Sequence, residues 1–184
     1  MKKQLLLTCA SLAVVCGANA NVGPYVSIDG IFNGGDTGGA VSIGMQTKQF
    51  NVGVGGTYLS SEVKDSKATK PDPLFNHKHH VAAFFGYADM IHPIAKDWHF
   101  EYGLDGSYGM IGPDEVKGTA FTVAANIGIS HDFNKHITGF VMAHVVEYSS
   151  QTNDNDDADT GKAKRTSMNV FSGVQAGLAW FFKS

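Results

Sequence analysis

Cysteine is the first thing this chain lacks. Two occur among 184 residues, Cys9 and Cys16, and both lie in a stretch that reads as a secretory leader. Lys2 and Lys3 supply its positive start, Leu5 to Cys16 its mostly apolar middle, and Ala18-Asn19-Ala20 a small-x-small cleavage pattern. Val15 stands where an acylated Cys16 would require a small residue, so a lipoprotein is the weaker reading. Residues 1–20 are thus expected to be a signal peptide and residues 21–184 one mature domain. That domain has no thiol, which excludes a disulfide, a cysteine nucleophile and a thiolate metal site. Long apolar runs are missing as well. The leader's own run is too short for a spanning helix of about 20 residues, and nothing later approaches that length. An excess of positive charge is also absent. The net charge of −3 becomes −5 once the leader takes away two lysines and no acid. A mildly acidic chain without a basic cluster is not built to hold nucleic acid.

What is present is alternation. In Trp98-His99-Phe100-Glu101-Tyr102-Gly103-Leu104-Asp105 the even positions are bulky and apolar, and the odd ones polar or glycine. A strand turns successive side chains to opposite faces, so the segment has one greasy and one wet side. The same rhythm predicts strands at roughly 23–33, 39–47, 50–59, 79–88, 98–110, 119–133, 137–149 and 167–182. Most have about the 9–11 residues that a tilted membrane-crossing strand requires. The connections alternate in length. Lys48-Gln49 and Asn134-Lys135 are hairpin turns, while Ser60 to Lys78 and Ser150 to Thr166 are long and polar. The link around Gly34 to Gly38 is short for an outer loop, and Asp89 to Asp97 is long for an inner one. With no helix long enough to cross a bilayer, insertion requires a closed barrel, because an open sheet edge cannot be left unpaired in hydrocarbon. The 22 glycines, mostly inside strands, point to curvature or a crowded interior.

Aromatic residues gather at strand ends. Phe50, Tyr87, Trp98, Phe133, Trp180 and Phe182 fall at the inner ends, and Phe32, Tyr58, Tyr108, Phe121 and Tyr148 at the outer ends. Two such belts are expected where rings sit at headgroup depth on either side of a membrane. Choosing the apolar parity assigns to lipid Val41, Ile43 and Met45; Val52 and Val54; Val81, Ala83 and Phe85; Phe100, Tyr102 and Leu104; Val123, Ala125, Ile127 and Ile129; and Val170, Val174, Ala176 and Leu178. Strand seven leaves two parities open, and a bulge near His144 would reconcile them. The opposite parity places Asp29, Glu101, Asp105 and Asp132 inside, with His99 and Lys48 as basic partners. A dry interior would make unpaired carboxylates costly, so a hydrated, weakly cation-attracting lumen is expected.

The final stretch, Val170-Phe171-Ser172-Gly173-Val174-Gln175-Ala176-Gly177-Leu178-Ala179-Trp180-Phe181-Phe182, resembles the carboxy-terminal strand of Gram-negative outer-membrane barrels, although Lys183 and Ser184 follow its aromatic end. With the leader and eight strands, the chain is similar to the small barrels of the OmpA/OmpX type. The resemblance implies an all-β, eight-stranded antiparallel up-and-down transmembrane β-barrel in the cell outer membrane. It further implies contact with outer-membrane lipid and lipopolysaccharide, insertion by the barrel-insertion machinery, and a monomer. It says little about activity, because such folds serve as anchors, adhesins, enzymes and narrow pores.

Several residues invite chemistry. His77 and His79 would share a strand face, but two ligands fall short of the four of a structural metal site. The acidic run Asp154 to Asp159 fails the calcium-loop pattern, because Asp159 and Arg165 occupy the glycine and glutamate positions. Neither a metal nor any other cofactor is expected. His144, Glu147 and Ser149 or Ser150 invite comparison with lipid-A deacylases. Yet 144 and 147 converge only across a bulge, and that family's histidine followed by a Ser-Asn pair is absent. The favoured role is structural or surface interaction through long outer loops. The alternatives are a narrow cation-attracting pore, a lipid-A-modifying acyl hydrolase, and a soluble secreted ligand-binding barrel with its bulky residues inside.

Overall fold

The computed structural model describes residues 21–33, 36–62, 78–112, 117–154 and 163–182. They form β1 (Gly23–Asn33), β2 (Asp36–Gln46), β3 (Phe50–Glu62), β4 (Lys78–Ala95), β5 (Trp98–Gly112), β6 (Lys117–Asn134), β7 (Ile137–Asp154) and β8 (Ala163–Phe181). Each strand pairs antiparallel with the next, and β1 closes on β8, so the sheet is an eight-stranded barrel without an edge. Three tight turns, around Lys48, Lys96 and Lys135, lie at one end, together with the first and last described residues, Asn21 and Phe182. The opposite end, the loop end, is where β3 and β4 are linked by residues 63–77 and β7 and β8 by residues 155–162.

The bulky residues face outward. Phe100 is 36% exposed, Leu104 60%, Val123 39% and Ile127 40%. A soluble ligand-binding barrel would hold these side chains inside; here they form an apolar belt that hydrocarbon would cover. Phe50, Trp98, Phe133, Trp180 and Phe182 project outward at the turn end, and Phe32, Tyr58, Tyr108, Phe121 and Tyr148 toward the loop end. Tyr87 does not join them. Its hydroxyl meets those of Tyr25 and Ser42 inside the barrel.

That difference belongs to the whole of β4. Val81, Ala83 and Phe85 line the interior, and Phe84 is the lipid-facing ring, 81% exposed. Both parities of this strand carry bulk, so bulk alone does not choose between them. The partner strand does: Tyr87 lies opposite Gly53 and Phe85 opposite Gly55. A methyl group on either glycine would overlap the ring across from it. The same fit recurs at Tyr25 with Gly44, Met142 with Gly128 and Phe140 with Gly177.

The stretch from Asp89 to Ala95 is strand rather than an irregular link, and the turn is Lys96-Asp97, with Asp97 at φ 63°. Beyond Ile91 the strand keeps β5 as its neighbour, whereas β3 begins at Phe50 opposite Met90. Pro93 therefore sits where β4 extends past the start of β3, and a missing donor is tolerated there.

Gly53→Ala is expected to lower barrel stability by about 1–3 kcal/mol through overpacking, read as a fall in the temperature at which the fast-migrating folded band is lost on detergent gels. Gly86→Ala, whose methyl would meet nothing nearer than 3.6 Å, is expected to leave that temperature unchanged or slightly raised.

Candidate functional site

Among the described residues, ionisable groups gather in the interior. Asp29 and Glu101 are each 4% exposed, Asp132 is 8% exposed, and Asp105 lines the same space. Two further carboxylates join them, Asp89 at 6% and Glu147 at 7%. Asp89 escapes a sequence reading that ends β4 too early. Glu147 escapes one that runs β7 without interruption.

The interruption is a bulge at Val145. Ala125 pairs with Val146 and Asn126 with His144, so Val145 is the extra residue against β6. On the other side, His144 pairs with Gly173 and Val146 with Val170. Phe171, in the intervening β8 segment, adopts φ 52° and points outward at 70% exposure. A bulge shifts side-chain parity by one residue. His144 and Glu147, three apart, therefore both face inward. This resolves the two parities of β7: Phe140, Met142 and His144 point in before the bulge, Glu147 and Ser149 after it.

A polar chain crosses this wall. Asn126 Nδ2 donates to Asp105 Oδ2 at 3.2 Å, and His144 Nε2 lies 3.3 Å from the same oxygen. His144 Nδ1 is 3.6 Å from Glu147 Oε2, which accepts from Ser172 Oγ at 2.8 Å. The imidazole thus stands between two carboxylates. Elsewhere Gln175 donates to Asp29 at 2.8 Å, and Ser130 donates to Glu101. Among the described residues, those lining the chamber include no lysine or arginine, and Lys48 lies exposed in its turn. The chamber measures about 340 Å³. Asp29 Oδ1, Asp89 Oδ1 and Asn126 Oδ1 are buried without a protein hydrogen-bond partner. Such atoms demand water, and a polar chamber of this size has room for it.

Toward the turn end the lumen is filled. Tyr25 packs on Phe181 with ring centroids 5.1 Å apart, and its hydroxyl donates to Asn51 Oδ1 at 2.6 Å. Phe181 and His99 are both fully buried. Beneath them Asp132 accepts from His99 Nε2 at 3.1 Å.

The serines do not complete a hydrolytic arrangement with His144. Ser149 Oγ lies 2.7 Å from Ser167 Oγ, and Ser172 addresses a carboxylate. A nucleophilic serine needs a base to take its proton, with an acid behind that base. Here the order is serine, carboxylate, imidazole, carboxylate. Of the loop histidines, the described ring is that of His80, stacked on Tyr58 at 5.4 Å. His77, and the acidic run from residue 155 onward, lie outside the described residues. Among the described residues no group of three or more histidines and carboxylates is placed to hold a metal.

No family model and no curated protein matches the chain. Solved structures do. Neisserial surface protein A (NspA) is 13% identical with a TM-score of 0.54, over 86% of this chain and 97% of that one. A major outer membrane protein from Thermus thermophilus is 10% identical with a TM-score of 0.48, over 86% and 98%. The likeness to NspA is one of fold, the eight-stranded barrel of outer-membrane proteins.

His144→Phe would leave Asp105 and Glu147 without the imidazole between them, so a loss of about 3 kcal/mol in barrel stability is expected. Adding Asp105→Asn and Glu147→Gln should recover most of it, as measured by the same gel-shift melting temperature. A triple variant as unstable as His144→Phe alone would show that the imidazole acts by packing.

Proposed function

We propose that this chain is an integral outer-membrane barrel that works through its outer surface, as a structural and surface-interacting protein presenting long polar loops to ligands, host surfaces or lipopolysaccharide. The observation that carries this reading is the filled turn end. A lumen closed by Tyr25, Phe181 and His99, none more than 4% exposed, is poorly suited to passing solutes. The stopper gives the barrel rigidity, which suits a platform better than a conduit. The apolar belt and its two rows of rings support the membrane setting. The polar segments 63–77 and 155–162, which join β3 to β4 and β7 to β8, supply the material that a partner would meet. NspA, which shares the fold, is by its name a surface protein.

A second reading is favoured by one observation: among the described residues the chamber carries five carboxylates, Asp29, Asp89, Glu101, Asp105 and Glu147, against one imidazole, that of His144. If the stopper shifts, such a passage would admit small cations in preference to anions.

Residues 21–184 contain no cysteine, so single cysteines can be placed cleanly. Ser66→Cys and Asp157→Cys are expected to react with a membrane-impermeant maleimide on intact cells, and Lys96→Cys only after the outer membrane is permeabilised. The reverse pattern would overturn the orientation, and equal labelling of all three would overturn the membrane reading. In planar bilayers the natural chain is expected to show no current steps, and the Tyr25→Ala, Tyr87→Ala variant to show cation-selective ones. Steps from the natural chain would favour the pore.

A further inference from the structure

Asn21 is two residues ahead of β1, yet it is 3% exposed, and its position at the turn end is fixed from the far wall of the barrel. Its backbone nitrogen donates to Asp132 Oδ2 at 3.1 Å and its side-chain amide to Asp132 Oδ1 at 3.0 Å. That amide also reaches Asn134 O and Thr138 Oγ1, each at 2.9 Å. Asp132 in turn takes His99 Nε2 at 3.1 Å and the Thr138 hydroxyl. The carboxylate therefore meets four donors, on β5, on β7 and on the segment before β1. In a barrel of eight strands β5 stands opposite β1. The cluster is a strut across the lumen's closed end.

We infer that proteolytic cleavage between Ala20 and Asn21 creates the counter-ion of Asp132: the freed α-ammonium of Asn21 locks the turn end of the barrel shut. The inference rests on the leader reading, not on the surface role. In the precursor the Asn21 nitrogen is a neutral peptide N–H with one proton to give. Hydrolysis of that peptide bond by water yields the Ala20 carboxylate and an Asn21 ammonium, which carries three protons and a full positive charge. The geometry is already that of an ion pair, because the nitrogen lies at hydrogen-bonding distance from a carboxylate that is 8% exposed. Charge-assisted bonds of this kind are about twice as strong as neutral ones. The unpaired alternative, a buried carboxylate without a cation, is strongly unfavourable. Cleavage register matters as a result. One residue more would move the charge off Asp132, and one residue less would remove the Asn21 side chain together with its three hydrogen bonds.

The test is the reactivity of the amino terminus. Protein processed in cells and purified from membranes is treated with an amine-reactive ester at neutral pH, folded or boiled, and its terminal peptide is quantified by mass spectrometry. An ammonium held by a carboxylate is expected to label at least about tenfold more slowly in the folded barrel, the rate ratio that one unit of protonation preference gives. Lys96, in its exposed turn, should label alike in both. Asp132→Asn should abolish most of the protection. Equal labelling of folded and boiled protein would overturn the inference, as would protection unchanged in Asp132→Asn or a mature chain that starts elsewhere than Asn21. Should Asp132→Asn fail to fold, a chain refolded with one methionine ahead of Asn21 serves instead. Its terminus is expected to label freely and its folded band to be lost at a lower temperature than that of the membrane-derived protein. An identical temperature and equal protection would refute the lock.

Discussion

Volume governs this molecule. Eight strands enclose a cylinder just wide enough for side chains to fill, so each large inward residue needs a small one across from it. The chain meets that demand pair by pair. Tyr25 faces Gly44, Phe85 faces Gly55, Tyr87 faces Gly53, Met142 faces Gly128 and Phe140 faces Gly177. Glycine inside a strand is a poor choice for strand stability taken alone. Here it is what allows rings into the lumen at all, and the rings are what close the turn end. Carboxylates follow the same rule, with Asp89 opposite Gly103 and Asp29 opposite Gly177.

Electrostatics is the second constraint, and it is concentrated on one wall. Interior carboxylates outnumber interior imidazoles, and each imidazole stands beside an acid: His99 with Asp132, His144 with Asp105 and Glu147. The bulge at Val145 makes the second grouping. An uninterrupted β7 would present either His144 or Glu147 to lipid, where a charged group is expensive. A local irregularity in the sheet thus spares the membrane face a polar side chain and sets an imidazole between two carboxylates in the lumen.

Much of this was legible in the residues themselves. Strands β2, β3 and β5 alternate so strictly that the outward Val41, Ile43, Val52, Val54, Phe100 and Leu104 could be assigned without coordinates. The inward placement of Asp29, Glu101, Asp105 and Asp132 followed from the same parity. β4 was not legible in that way. Its two faces are nearly equal in bulk, and the deciding information sits on β3, in Gly53 and Gly55, which become informative only once register is known. Tyr87 was misplaced for that reason. Val145 posed a related problem. A bulge leaves two parities equally defensible along one strand, and partner strands choose between them. Asn21 gave no signal at all, because its partners lie more than a hundred residues away.

The strands also differ in height. β1 and β2 have 11 residues each, whereas β6 and β7 have 18 and β8 has 19. Where β1 ends, Asn33 still lies beside Gly173, and β8 continues back to Ala163. At a rise of about 3.3 Å per residue and a tilt near 45°, that continuation adds roughly 20 Å of elevation on one flank. The rim formed by the described strands is therefore a ramp. A molecule approaching from above would touch the high parapet of β6, β7 and β8 first, and a small one could reach the chamber sideways, across the low sill of β1 and β2.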